Sequence, residues 1–188
     1  FTEYLSHVSP PWKQRHGAAS KLDWAGTVLA VKGSSEVSKA VRATTGAIGY
    51  IDYNYVLDDG LTGVAMKNAD GQFVVAGVES FREAVTRSAW FSRGDFSASI
   101  SDGPGAKTWP LTMGTYIALP RVSKSNERTE RTLRFIVWSY LRGDALARDA
   151  RFVPLPAKVQ ASAYKEISKV STASGESLGV RVLNALIK

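Results

Sequence analysis

Apolar positions follow two rhythms along this chain, a period near 3.6 residues and a period of 2. Tyr4, Leu5 and Val8 share one helical face, which predicts a helix over Phe1–Val8; Ser9-Pro10-Pro11-Trp12 should stop it, because proline cannot continue the hydrogen-bond ladder. Leu22–Val31 is apolar and β-branched enough for a strand. Lys32–Glu36 then turns the chain, and Ser34 or Ser35 is suited to cap a helix from Glu36 to Ala43 that carries Val37, Ala40 and Val41 inward. Gly46 ends that helix, and Ile48–Val56 alternates as a second strand. Asp58-Asp59-Gly60 signals a turn. Gly63–Lys67 and Gln72–Val75 bracket a hairpin with Asp70-Gly71 at its turn.

Beyond the hairpin, Glu79–Ser88 predicts a short helix, Trp90–Asp95 is aromatic and irregular, and Ser101–Lys107 is a loop. Thr108–Leu119 predicts a strand, strongest at Thr115–Leu119. In Thr129–Leu141 the apolar residues Leu133, Ile136, Val137, Tyr140 and Leu141 recur at helical spacing, and Gly143 stands where a left-handed C-cap is wanted. Ala145–Arg151 adds a second helical piece that Phe152–Pro156 breaks. Ala157–Val170 is amphipathic, with Val159, Ala163, Ile167 and Val170 in line. Thr172–Gly179 has the composition of a flexible spacer, and Val180–Lys188 suits a strand or a helix equally. No internal repeat is present. Strands alternating with helices early and helices dominating late make an α/β pattern.

Composition narrows the class. The 188 residues are 44% hydrophobic and 22% charged, which suits a folded globule. No apolar run approaches the roughly 20 residues that span a bilayer. Without cysteine there is no disulfide, thiolate metal site or cysteine nucleophile. The start, FTEYLSHVSPPW, has neither an initiator Met nor a signal peptide and has the look of a processed or truncated beginning. Lys and Arg number 24 against 17 Asp and Glu, an excess that favours an anionic partner. The densest basic stretch, Arg121–Arg134, also holds Glu127 and Glu130, so it reads as a solvated helix entry before it reads as a nucleic-acid patch.

Catalytic signatures are missing. The two histidines, His7 and His16, sit in no elbow, zinc-helix or phosphate-loop motif, and Asp58-Asp59 is a solvated turn before it is a carboxylate pair. Two stretches carry binding chemistry. In KGSSEVSKAV, a small-residue turn opens a helix whose first N–H groups and dipole could hold an oxyanion with help from Lys32 and the serines; simple capping is the competing explanation. In GYIDYNY, Tyr50, Asp52 and Asn54 share one strand face, and Ile51, Tyr53 and Tyr55 the other. Such a strand either covers a core or enters a wet cleft, where tyrosine tolerates both burial and water.

Taken in order, these stretches resemble a known family. FTEYLSHVSPPWKQRHG, VKGSSEVSKAVRATTGAIGYIDYNYV, TWPLTMGTYIAL and LRFIVWSYLRGDALARDARFVPLPAKV are similar, collinearly from Phe1 to about Ile167, to segments of phosphate-binding proteins of the PstS type. Those are solute receptors of phosphate ABC transporters. The resemblance implies an α/β fold of the type II periplasmic-binding-protein kind. It implies a partial one, a lobe plus the hinge-crossing segments of a two-lobe receptor. Residues 1–50 would belong to the second lobe, and 51–188 to the hinge crossing and the C-terminal part of the first.

The resemblance also implies a function without catalysis and without a cofactor. The partners it implies are inorganic phosphate, an ABC transporter permease and a missing N-terminal portion of the receptor; no nucleic acid is expected. The place is periplasmic or extracytoplasmic. In the family, the arginine and the Ser-Gly-Thr loop that grip the anion lie upstream of the segment matching Phe1, so this chain alone should bind phosphate weakly or not at all. Tyr50, Asp52 and Tyr53 would lie at the hinge and cleft floor, with Gly33, Ser34 and Ser35 at a helix start and Thr2 in the first turn of another. One departure is Glu36, which replaces a glycine of the family and brings negative charge to the helix start. Two other classes remain to be weighed, a phosphatase-like enzyme on the same scaffold and a basic module that binds polyanions.

Overall fold

In the computed structural model the described residues are 1–24, 26 and 28–187. Two compact units form, one from Phe1–Ala84 with Ser101–Thr112, the other from Val85–Ile100 with Met113–Lys188.

The first unit begins with α1 (Thr2–Val8) and α2 (Pro10–Arg15). The prolines were expected to end the first helix; they also begin the second. Their missing N–H groups cost nothing in a first helical turn, and Ser9 Oγ accepts the Trp12 N–H at 3.3 Å as the cap. The expected strand at Leu22–Val31 includes Ala25 and Thr27, which lie outside the described residues; the described remainder forms no strand. Helix α3 (Gly33–Ala43) begins earlier than expected, so Ser34 and Ser35 sit inside its first turn and Lys32 takes the N-cap position without a side-chain bond.

The second predicted strand, Ile48–Val56, is also absent. Ile48–Ile51 lies without a ladder, and Tyr53–Asp58 is helix α4 with Asp52 as its N-cap residue. A strand exists only by pairing, and among the described residues no neighbouring strand is offered here. Instead this backbone presses on α3: a Cβ on Gly49 would stand 2.8 Å from Val37 Cγ1. The hairpin forms as expected, with β1 (Met66–Lys67) and β2 (Phe73–Val74) antiparallel in the register Met66↔Val74. Asn68 holds it. Its Nδ2 donates to the carbonyls of Gly105, Ala106 and Thr108 at 3.0–3.2 Å, and its Oδ1 accepts from the Asp70 and Gln72 N–H groups. Helix α5 (Val78–Thr86) then carries the chain into the second unit.

That unit is helical. The stretch at Trp90–Asp95 is mostly α6 (Ala89–Arg93), and Trp90 packs with Val85, Ile100 and Val159 in a small core. The expected strand Thr108–Leu119 has no partner strand among the described residues; its first part bonds instead to loop and helix backbone, Trp109 N–H donating to the Ser80 carbonyl and the Pro110 carbonyl accepting from Asp102. Helix α7 (Asn126–Arg142) passes through Gly143 into α8 (Asp144–Asp149). Gly143 is not the left-handed cap expected of it: φ is −87° and ψ −6°, because the chain goes on into another helix and does not reverse. Helix α9 is Ala157–Ile167, and the tail resolves as α10 (Leu178–Leu186). The spacer between them is a bonded turn. Thr172 N–H donates to the Glu176 carbonyl at 2.8 Å, and Ser177 Oγ accepts the Val180 N–H.

The larger core joins Leu133, Ile136 and Val137 of α7 to Ile167, Val170, Leu178 and Val182. Backbone meets backbone where α10 starts: a Cβ on Gly179 would stand 1.9 Å from the Ile167 carbonyl oxygen. Gly179→Ala is therefore expected to destabilise this unit by about 2–3 kcal/mol, since a carbonyl cannot swing aside as a side chain does. Urea unfolding followed by circular dichroism measures it.

Across α7 and α10, Glu130 accepts from Arg134 at 2.9 Å and from Arg181 at 2.6 Å. Those hydrogen bonds, from Arg134 first, hold its carboxyl below the ordinary glutamate range. A depressed carboxylate stabilises the fold above the unfolded-state value and loses that contribution as pH falls through the folded-state value. Glu130→Gln is expected to flatten the acid limb of the stability curve below the ordinary glutamate range and leave its neutral slope alone. Thermal melts taken across that range check it.

Candidate functional site

All seven residues singled out for the cleft belong to the first unit. The starts of α1, α3 and α4 position them. The structure couples Ser34 to Asp52, whose carboxylate Oδ2 accepts the Ser34 hydroxyl at 2.9 Å. Asp52 therefore spends this oxygen on α3, and its side chain caps no N–H of its own helix. Ser38, one turn along α3, donates to Asp59 at the other end of α4, and Arg42 lies 3.9 Å from the same carboxylate group. α4 is thus tied to α3 at both of its ends by hydroxyl–carboxylate pairs.

Tyr50 is half exposed, with Phe1 stacked on it at 4.1 Å between ring centroids and 19° between planes. Trp24 approaches it at 6.5 Å, and Trp12 extends the group from Trp24 to His16. Thr2 lies next to this wall, but its hydroxyl is occupied. It donates to the Ala19 carbonyl at 2.8 Å and accepts the Ala19 N–H at 3.1 Å. Tyr53 faces elsewhere, edge-on to Phe81 at 5.2 Å, and Phe81 in turn meets Trp109. Gly33 opens α3 with a φ of +77°, and Ser35 is exposed.

The electrostatics at this helix start are mixed. No side chain caps the N–H groups of the first turn of α3. Glu36 is paired with Lys39 at 2.7 Å, and that hydrogen bond, then the glutamate charge, raises the Lys39 pKa. Asp52 adds a second carboxylate. A bare anion placed here would gain from the helix dipole and lose to two acidic groups. The arrangement suits a wall that offers hydroxyls, ring faces and one carboxylate better than a site that grips a dianion unaided. Net charge does not mark it either, because acidic and basic residues are about balanced in this unit and the cationic excess lies in the second.

Residue patterns alone missed two groupings. One is the aromatic wall itself, since only Tyr50 of Phe1, Trp12, Trp24 and Tyr50 was singled out. The other is His7, whose Nδ1 lies 3.0 Å from Asp102 Oδ2. Asp102 takes a left-handed φ of 51° and is nearly buried, and beside it burial, then the Asp102 charge, raises the Tyr4 pKa. The left-handed Asp102-Gly103 turn was the available signal. Among the described residues no three histidine, aspartate or glutamate side chains gather as a metal site, and no helix is long and apolar enough to cross a membrane.

No protein-family model matches the chain. Individual relatives do. The phosphate-binding protein PstS of Xylella fastidiosa is 35% identical over 156 residues, 83% of this chain and 43% of that protein. The phosphate-binding protein PstS of Haemophilus influenzae is 33% identical over 159 residues, 85% of this chain and 47% of the relative. That of Pasteurella multocida is 31% identical over 159 residues, 85% and 46%. The chain spans less than half the length of these curated relatives, and the part it matches is C-terminal. The relationship implies a periplasmic-binding-protein fold. The chain is thus a relative of the PstS-type phosphate-binding proteins, corresponding to their C-terminal part.

Proposed function

We propose that this chain serves as the C-terminal portion of an extracytoplasmic phosphate receptor that feeds an ABC transporter permease. The observation that carries the proposal is the match at about one-third identity along most of the chain to proteins named for phosphate binding. The fold is the type II periplasmic-binding-protein kind in partial form, with 1–50 in one lobe and 51–188 forming a hinge crossing and part of the other. The receptor captures its ligand without turnover. Closing a cleft takes the oxyanion out of water, where each charge-assisted hydrogen bond to it becomes stronger.

Within this scheme the Ser34–Asp52 pair and the Tyr50 wall line the cleft. Gly33 and Ser35 shape the helix start, Thr2 ties the start of α1 to Ala19 beside the wall, and Tyr53 lies at the hinge and cleft floor. The gripping groups come from an N-terminal portion equivalent to that of the relatives. Two measurements follow. Calorimetry of the 188-residue chain alone with inorganic phosphate is expected to show no binding in the micromolar range, and micromolar binding would overturn the division of labour. In a complex with the N-terminal portion of the Haemophilus influenzae relative, Asp52→Asn and Ser34→Ala are each expected to weaken phosphate by less than about tenfold, roughly 1.4 kcal/mol. A loss of a hundredfold or more would make them gripping residues.

A further inference from the structure

We infer that His7 and Asp102 are positioning residues for the Tyr50 wall: their contact sets the direction of α1, and α1 holds Phe1 over Tyr50. What the wall does for phosphate rests on the receptor role proposed above; the contact and its effect on the wall do not. Helix α1 has seven residues and spans about 10 Å. A helix so short has no stability of its own, so its direction is set by what its ends touch. At its start Phe1 stacks on Tyr50, and the Thr2 hydroxyl is bonded to Ala19. At its far end His7 Nδ1 meets Asp102 Oδ2 at 3.0 Å. Tyr4, one turn before His7, lies on the same helical face and is buried. Burial, then the Asp102 charge, raises the Tyr4 pKa, so the carboxylate acts on two successive turns of α1. A hold on two turns resists both sliding and rolling of the helix.

Two features of Asp102 mark its carboxylate as used. Its φ of 51° is left-handed, a region that glycine enters freely and aspartate only at a cost. Its side chain is 9% exposed, and a carboxylate withdrawn from water is costly unless a partner meets it. Glycine at this position would remove both costs. Strain of this kind persists where the surroundings over-determine the residue, and functional sites are where it gathers. The loop that carries Asp102 is itself anchored. Asp102 N–H donates to the Pro110 carbonyl at 2.8 Å, and Ser101 Oγ donates to the Thr112 carbonyl at 2.9 Å. The carbonyls of Gly105, Ala106 and Thr108 accept from Asn68. Asp102 is therefore the fixed member of the contact, and α1 is the member it positions.

The test reads the wall and the fold separately. In the full chain the Phe1 ring holds the Tyr50 ring-proton resonances upfield, and NMR measures that shift. His7→Ala and Asp102→Gly are each expected to lose most of it. The urea unfolding midpoint should move little, because His7 is exposed and glycine is at ease with a left-handed φ. His7→Lys returns a cation on a flexible stem to the carboxylate and should keep the wild-type resonances. In a single-chain fusion of the N-terminal portion of the Haemophilus influenzae relative to the full chain, His7→Ala and Asp102→Gly are expected to weaken phosphate by about fivefold, since the wall must then be ordered on binding. Tyr50 resonances that stay put in both variants overturn the inference. So does a shift lost only together with the fold, and so does failure of His7→Lys to keep it. Displaced resonances with unchanged phosphate affinity leave the positioning standing and remove the wall from the cleft. A wild-type fusion that binds no phosphate sinks the receptor role, and the Tyr50 resonances still decide the inference.

Discussion

Backbone N–H and C=O groups removed from water must find partners, and this constraint decides which parts of the chain take regular structure. A helix satisfies its interior groups from its own segment. A strand depends on a neighbour that the sequence has to bring alongside. The segments with period 3.6 therefore fold where they stand, as α7, α9 and α10 do around Leu133, Val137, Ile167 and Val182. The segments with strand-forming composition, Ile48–Ile51 and Met113–Leu119, form no ladder, and among the described residues only the hairpin at Met66–Val74 closes, because its paired residues are no more than eight apart in sequence.

The same constraint explains how the candidate site is built. At the start of α3 the free N–H groups are left without a side-chain cap, while Ser34, which could have capped, donates to Asp52. Asp52 in turn leaves its own helix uncapped in order to bridge the two. One hydrogen bond thus sets the spacing of two helix starts and places a carboxylate beside them. The stack of Phe1 on Tyr50 joins the start of α1 to the same wall. Hydroxyl, carboxylate and ring faces are brought together there.

Much of this was legible in the residues. Helical periodicity located α1, α3, α5, α7 and α9, and Asp70-Gly71 located the hairpin turn. The misses have physical causes. Pro10 and Pro11 stop α1 at Val8 as expected; what went unread is that they also start α2, since proline's lost donor matters in a helix interior and not in a first turn. Gly143 fits a left-handed cap only if the chain reverses, and it does not. Ile48–Val56 alternates like a strand, yet from Tyr53 onward helix formation satisfies the backbone locally where no ladder is at hand. The aromatic wall and the His7–Asp102 contact join residues far apart in sequence, and no local spacing encodes them.

The central claim is that this chain supplies one part of a phosphate receptor whose gripping groups lie in the other. The most direct test is a single-chain fusion of the N-terminal portion of the Haemophilus influenzae relative to Phe1–Lys188, titrated with phosphate by calorimetry beside the chain alone. The account predicts saturable, one-to-one phosphate binding by the fusion at micromolar concentrations or tighter, with no heat from the chain alone. A fusion that folds cooperatively and binds no phosphate would contradict it.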